Sequence, residues 1–243
     1  MWKSNKVTVI FPTYREKDSI RRSIEEFDKS GYVDEIIVVD NNAQPGTKEE
    51  VEKTSARLVH EKQQGYGYAI KKGLSSTKAD LLIIAEPDGS FDGRDVVKLL
   101  AYSDDFDMVF GSRTHVPLIR HGSDMTPVKH ILDFLLAKMA TWLFFCPLLT
   151  DLGCTLRLTH KTAWLRIAEE VTADDGIFSI KWILTAAARK VNYIQIPVNF
   201  RARVGPSSLT DTFQQKAVWG IKEFFFIWKM WLKFQAERIL SRK

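Results

Sequence analysis

The 243-residue chain is 45% apolar and 27% charged, a balance that excludes intrinsic disorder and suits one large α/β domain with a sizeable core. Its two cysteines, Cys146 and Cys154, have no Cys/His cluster around them, which excludes a disulfide framework and a zinc centre and points to a reducing compartment. The net charge of +5 is concentrated: from Phe213 to Lys243 seven basic residues stand against Glu223 and Glu237, leaving the rest of the chain neutral.

The N-terminal apolar run, Val7 to Phe11, is too short for a signal peptide. The longest apolar region, Met139 to Leu149, is broken by Pro147 and falls well short of the ~20 residues that span a bilayer. The expectation is a cytoplasmic protein with no transmembrane helix.

Val7-Thr8-Val9-Ile10-Phe11 is a first buried strand, ended by Pro12-Thr13-Tyr14. Glu16 to Ser30 has helical spacing at Ile20, Ile24 and Phe27, and Gly31 stops it. Glu35 to Val39 is a second strand that brings Asp40-Asn41-Asn42 to the same edge. Asp40 alone reads equally as an Asx-turn residue. Ala56 to His60 predicts a third strand, followed by Gly65-Tyr66-Gly67 and a helix to about Leu74. This Gly-x-Gly lacks the third glycine of the dinucleotide fingerprint, because position 70 is Ile70. A glycine-rich helix start still permits close approach of a phosphate or ribose.

Leu81-Leu82-Ile83-Ile84 is short enough for a buried central strand, and it delivers Glu86-Pro87-Asp88-Gly89 to the edge where open α/β sheets bind ligands. Two carboxylates one residue apart suit a hard divalent cation holding a diphosphate; taken alone, Asp88-Gly89 is equally a plain turn. Val96 to Tyr102 predicts a helix, and Asp107 to Phe110 a strand ending in Gly111-Ser112-Arg113, which sets an arginine near those carboxylates.

A polar stretch from Arg120 to Asp124 gives way to an apolar helix from Ile131 to Leu149. His121 and His130 have no partner at ligand spacing and read as solvent-facing or locally bonded. Further helices are expected over Lys161 to Glu170 and about Ile177 to Arg189, the latter capped by Asp174-Asp175. Tyr193 to Phe200, which contains Pro197, is an edge strand carrying Arg201 and Arg203, whose alternate positions point them the same way.

In this order the elements resemble the family 2 inverting glycosyltransferases of GT-A fold, and within them the dolichyl- or polyprenyl-phosphate sugar synthases. The resemblance covers nearly the whole chain to about Ser208. Pro12-Thr13-Tyr14-Arg15-Glu16 resembles P-T-Y-N-E, Val38 to Asn42 the V-V-D-D-G/N-S, and Gly65 to Ala69 the G-K-G-x-A. Glu86-Pro87-Asp88 sits at the D-x-D position, Gly111-Ser112-Arg113 matches G-S-R, and Asp151 to Arg157 resembles D-x-x-C-G-F-K/R. Ile196-Pro197-Val198 with Arg203 and Gly205 resembles the V-P-I...R-x-x-G-x-S tail, one residue short. Asn41 replaces an Asp, Glu86 the first Asp of D-x-D, Tyr66 a lysine, and Ser208 falls where a lysine is common.

The resemblance implies an α/β GT-A domain, a Rossmann-like mixed sheet flanked by helices, over residues 1–210, with an amphipathic extension over 211–243. It implies Pro12, Tyr14, Glu16, Asp40, Gly67 and Glu86 around the nucleotide of a UDP- or GDP-sugar. Glu86 and Asp88 would hold Mg2+ or Mn2+. Asp88, Arg113, Asp151 and Arg203 would be catalytic, and Arg113, Arg120, Arg203 and Ser207 would bind the phosphate of a polyprenyl or dolichyl acceptor. A lipid phosphate is largely anionic near neutral pH and needs positioning more than a base; a hydroxyl acceptor would need one, from Asp151, Asp174 or Asp175.

Wound as a helix, Phe213, Ile221, Phe224, Phe225, Trp228, Trp231, Leu232 and Ile239 share an apolar face opposite Lys222, Lys229 and Lys233. That composition suits a membrane surface, and it equally suits packing on the same domain or on a second copy of the chain in a homo-oligomer. Nucleic acid is the weakest of the partners considered, since bulky aromatics in a helical stripe make no base-stacking platform. The expected function is transfer of a sugar to a polyprenyl or dolichyl phosphate by a protein held peripherally at the cytoplasmic membrane face. Transfer to a saccharide hydroxyl, or a non-catalytic subunit of the same fold, are the alternatives.

Overall fold

The computed structural model describes residues 1–173, 177–205 and 213–240, so Asp174, Asp175 and Ser207 lie outside the described residues. Among the described residues seven strands form one mixed sheet: β1 (Val7–Thr13), β2 (Glu35–Asp40), β3 (Arg57–His60), β4 (Leu81–Ile84), β5 (Met108–Ser112), β6 (Arg157–His160) and β7 (Tyr193–Pro197). Their order is β3-β2-β1-β4-β6-β5-β7, with β6 antiparallel to both neighbours and every other pair parallel.

Period-two alternation feeds two cores. Ile10, Ile37, Val39, Leu82, Ile84 and Phe110 face one side of the sheet; Val9, Phe11, Ile36, Val38, Ile83 and Val109 face the other. The second side is covered by α1 (Lys17–Asp28), whose Ile20, Ile24 and Phe27 are buried as their spacing predicts, and by α4 (Asp95–Tyr102). A short α2 (Thr47–Val51) follows β2. The first side carries α3 (Tyr66–Ser75), α5 (Pro127–Phe144), α6 (Lys161–Ile167), α7 (Phe178–Ala188) and α8 (Phe213–Leu240).

Three elements differ from expectation. The apolar helix begins at Pro127, capped by Thr126, and stops at Phe145, a left-handed residue (φ 48°) just before Pro147. Strand β6 was not anticipated: Arg157-Leu158-Thr159-His160 is short, and its half-polar sequence carries no strand signature. Strand β7 is an edge strand, but it ends at Pro197, so strand alternation does not reach the arginines. Arg201 turns to Glu26 at 2.9 Å, whereas Arg203 turns to Asp88 at 3.1 Å.

Because β6 alone runs backwards, the ends of β1, β2, β4, β5 and β7 and the segment leading into β6 all open at one sheet edge. Helices α5 and α8 lie side by side, with Phe144 and Phe234 in edge contact (6.3 Å) at the end away from that edge. On α8, Ile227, Met230 and Phe234 are buried, and Arg189 of the segment after α7 clasps Glu237 at 2.5 Å. The opposite flank of α8 leaves Ile221, Phe225 and Leu232 exposed. No helix among the described residues is long and apolar enough to cross a membrane.

Candidate active site

At the sheet's carboxyl edge lies a cleft of about 580 Å3. One wall is lined by Pro12, Tyr14 and Glu16, three of the residues expected from sequence around a nucleotide. The Glu16 carboxylate ties the loop after β1, its Oε2 accepting from Tyr14 N (2.7 Å), Arg15 N (2.9 Å) and Thr13 Oγ1 (3.2 Å). Next to it Asn41, rather than Asp40, lines the cleft. The Asn41 amide donates to the carbonyls of Glu61 and Gln63 and accepts from Gly65 N at 2.8 Å. An aspartate there has no N–H to donate, so the departure from the family pattern has a structural use.

Asp40 points aside, accepting from Ala43 N at 2.8 Å and facing His60 at 3.6 Å. The two glycines divide their work. Gly65, at φ 147°, lines the cleft; Gly67 faces inward, where an added Cβ would come within 2.8 Å of the Ala173 backbone and 2.7 Å of the Phe178 ring.

The floor is Glu86-Pro87-Asp88. Asp88 is buried: its Oδ1 accepts from Ser90 N at 2.9 Å and its Oδ2 meets Arg203 at 3.1 Å. Burial, then the Asp88 charge, pushes the Glu86 carboxyl up to about 8. Arg203 Nε is buried with no partner among the described residues, a donor available to an anion.

Arg113 stands beside this floor, gripped by Asp151: Nε to Oδ2 at 2.8 Å, Nη2 to Oδ1 at 2.9 Å, and its own N–H to Oδ2 at 2.9 Å. Asp151 is fully buried, and its Oδ1 also accepts from Gly153 N at 3.0 Å. Burial opposes charge on both groups, but the ion pair outweighs it, holding Asp151 below and Arg113 above their usual ranges. Gln195 holds the segment in turn, accepting from Thr150 N and Asp151 N and donating to the Gly111 carbonyl. Arg120 is exposed, its N–H donating to the Phe200 carbonyl at 2.8 Å.

The third wall comes from helices that sequence reasoning did not assign to the site. Lys129, Asp133 and Leu136 of α5, at helical spacing, and Trp219 and Glu223 of α8, one turn apart, all line the cleft. Burial, reinforced by Asp151, pushes Asp133 up to about 6; burial, reinforced by Asp133, pushes Glu223 up to about 8. The available signal was a lone acid inside an apolar helix, Asp133, and one of the two acids in a basic one, Glu223.

Glu86 and Asp88 form an all-oxygen donor pair of the kind that hard divalent cations take, with remaining positions suited to phosphate oxygens and water. Burial and the Asp88 charge favour a proton on Glu86, which marks a place where added positive charge is favoured. Among the described residues, no group of three or more His, Cys, Asp or Glu forms a protein-only metal site. The residues therefore fit Mg2+ or Mn2+ bound together with a diphosphate.

Residues 8–143, more than half of the chain, match Glycosyl transferase family 2. The chain is 25% identical over 211 residues to the low-salt glycan biosynthesis hexosyltransferase Agl6 of Haloferax volcanii, covering 84% of this chain and 49% of that protein, so it spans about half that relative's length. It is 24% identical over 222 residues to a dolichyl-phosphate hexose transferase of the same organism, with 88% and 90% covered. Its backbone superimposes on glucosyl-3-phosphoglycerate synthase from Mycobacterium tuberculosis, solved with Mn2+, UDP and glucosyl-3-phosphoglycerate, at a TM-score of 0.68 and 16% identity over 92% of this chain and 80% of that one. The same synthase has been solved with Mg2+ and UDP. The shared architecture is the GT-A fold, and by its sequence the chain belongs to glycosyl transferase family 2.

Proposed function

We propose that the protein transfers a hexosyl group from a UDP- or GDP-sugar to a polyprenyl or dolichyl phosphate at the cytoplasmic membrane face, with inversion at the anomeric carbon. The observation that carries this reading is the convergence of Glu86, Asp88, Arg203 and Arg113 on the floor of one cleft at the sheet's carboxyl edge. Bond breaking leaves negative charge on the departing nucleoside diphosphate. Arg203, whose Nε has no partner among the described residues, and Arg113 are the fixed positive groups beside it. Mg2+ or Mn2+ on Glu86 and Asp88 would supply Lewis-acid stabilisation of the same charge. Asp151, saturated by Arg113 and Gly153, acts in this reading by orienting the guanidinium.

The lipid acceptor is supported by the similarity to the dolichyl-phosphate hexose transferase and by the exposed apolar flank of α8, with Lys222, Lys229 and Lys233 along the helix. One observation favours a second reading, a hydroxyl acceptor: Asp133, in the cleft and pushed up to about 6, has the character of a general base. The experiment is a screen of nucleotide hexoses with Mn2+ against short-chain polyprenyl phosphate and against saccharides. Sugar appearing in the lipid phosphate supports the first reading. Sugar appearing only on saccharides supports the second, and no consumption of any donor contradicts both.

A further inference from the structure

Helix α8 enters the cleft by its first turns, and its later turns fix how it does so. Burial of Ile227, Met230 and Phe234 and the Arg189–Glu237 ion pair hold one face of the helix against the domain. Trp219 and Glu223 continue that face upward and so open into the cleft. Lys222 lies over the Trp219 ring with its Nζ 5.1 Å from the centroid, which braces the indole. Across from them stands Asp133 of α5.

The chemistry of this corner differs from that of the floor. The floor has guanidinium groups for phosphate, whereas the corner is lined by the Asp133 and Glu223 carboxyls and the Trp219 indole, with Lys129 one turn from Asp133. A pyranose ring suits it: the ring's apolar C–H face lies on an aromatic surface, and its hydroxyls both donate to and accept from carboxyl groups. Glu223, pushed up to about 8 by burial and by Asp133, keeps its proton near neutral pH and can do both.

We propose that Trp219 and Glu223, on the C-terminal helix, form the subsite that recognises a pyranose ring, making α8 part of the specificity-determining wall of the active site. This rests on the nucleotide-sugar transferase reading of the cleft. The pyranose comes from one of two sources, the donor's own hexose or a saccharide acceptor.

The test uses the full-length protein with Mn2+ and titrates UDP against UDP-glucose and GDP against GDP-mannose, in the wild type and in Trp219→Phe, Trp219→Ala and Glu223→Gln. Unchanged affinity for the free nucleotide shows that a variant is folded and its floor intact. If the corner holds the donor hexose, the variants lose about tenfold in affinity for the nucleotide sugar, the scale of one net hydrogen bond, and keep their affinity for the nucleotide. If it holds a saccharide acceptor, donor affinity is unchanged and the acceptor KM rises by a similar factor. Variants that match the wild type in both respects overturn the inference while leaving the proposed function standing. A wild type that binds neither nucleotide pair overturns the proposed function, and this inference with it.

Discussion

Glu86 is the residue on which the cation reading turns, and its environment sets a pH dependence. In the metal-free protein its carboxyl is pushed up to about 8. The folded state therefore binds this proton more tightly than the unfolded state, and the metal-free protein loses stability as pH rises from about 5 through 8. A cation on Glu86 must displace the proton, so Mn2+ affinity should rise about tenfold per pH unit up to about 8 and then level off. Titration calorimetry at pH 6, 7 and 8 checks this; affinity that does not change with pH contradicts it.

Asp151 supports a different prediction at the same scale. Arg113 is 12% exposed and Asp151 is fully enclosed, so Asp151→Asn leaves a buried guanidinium without its counter-charge. The expected cost is about 3–5 kcal/mol, read by denaturant unfolding. A smaller loss combined with full inactivation would instead mark Asp151 as a reacting group. The parts of the site legible in sequence were those fixed by position alone. Glu86, Asp88 and Arg113 follow strands directly, so the chain delivers them to one edge whatever the helices do. Asp40 and Gly67 occupy motif positions but turn away from the cleft, because a neighbour, Asn41 or Gly65, faces it instead. Sequence spacing does not encode which of two neighbouring motif residues faces a cavity.

Among the elements, α3 and α7 meet through Gly67, which has no room for a side chain. Gly67→Ala should cost about 1–3 kcal/mol through overpacking against Ala173 and Phe178, seen as a lower melting temperature. A neutral result would return this glycine to the role of ligand approach. The strands and helices with clean periodicity, β1, β2, β4 and α1, were readable because one face of each is uniformly apolar. Strand β6 was not, since it is four residues long and begins with Arg157, buried at 2% exposure. That guanidinium is tolerated because it lies between the rings of Phe110 and Trp182 and donates to the carbonyls of Ser179 and Cys154, partners that only the fold supplies.

Across the whole molecule, α8 joins the two themes of the protein. Its apolar residues were legible as an amphipathic stripe, but the helix has two apolar flanks: one buried on α5 and α7, the other exposed. A periodicity argument cannot separate them, because both are hydrophobic. Removing residues 213–243 uncovers the surface that Ile227, Met230 and Phe234 bury, so the shortened chain should melt earlier and aggregate. A shortened chain with unchanged stability and donor affinity would show α8 to be a dispensable anchor.

The most direct test of the reaction follows the anomeric carbon. Wild-type protein is incubated with Mn2+, the nucleotide hexose it consumes and a short-chain polyprenyl phosphate, and the anomeric configuration of the lipid product is read by NMR, with Asp88→Asn as the control. The account predicts a lipid-phosphate hexose of configuration opposite to the donor's, absent from the control. A product with retained configuration, or one formed equally well by Asp88→Asn, contradicts it.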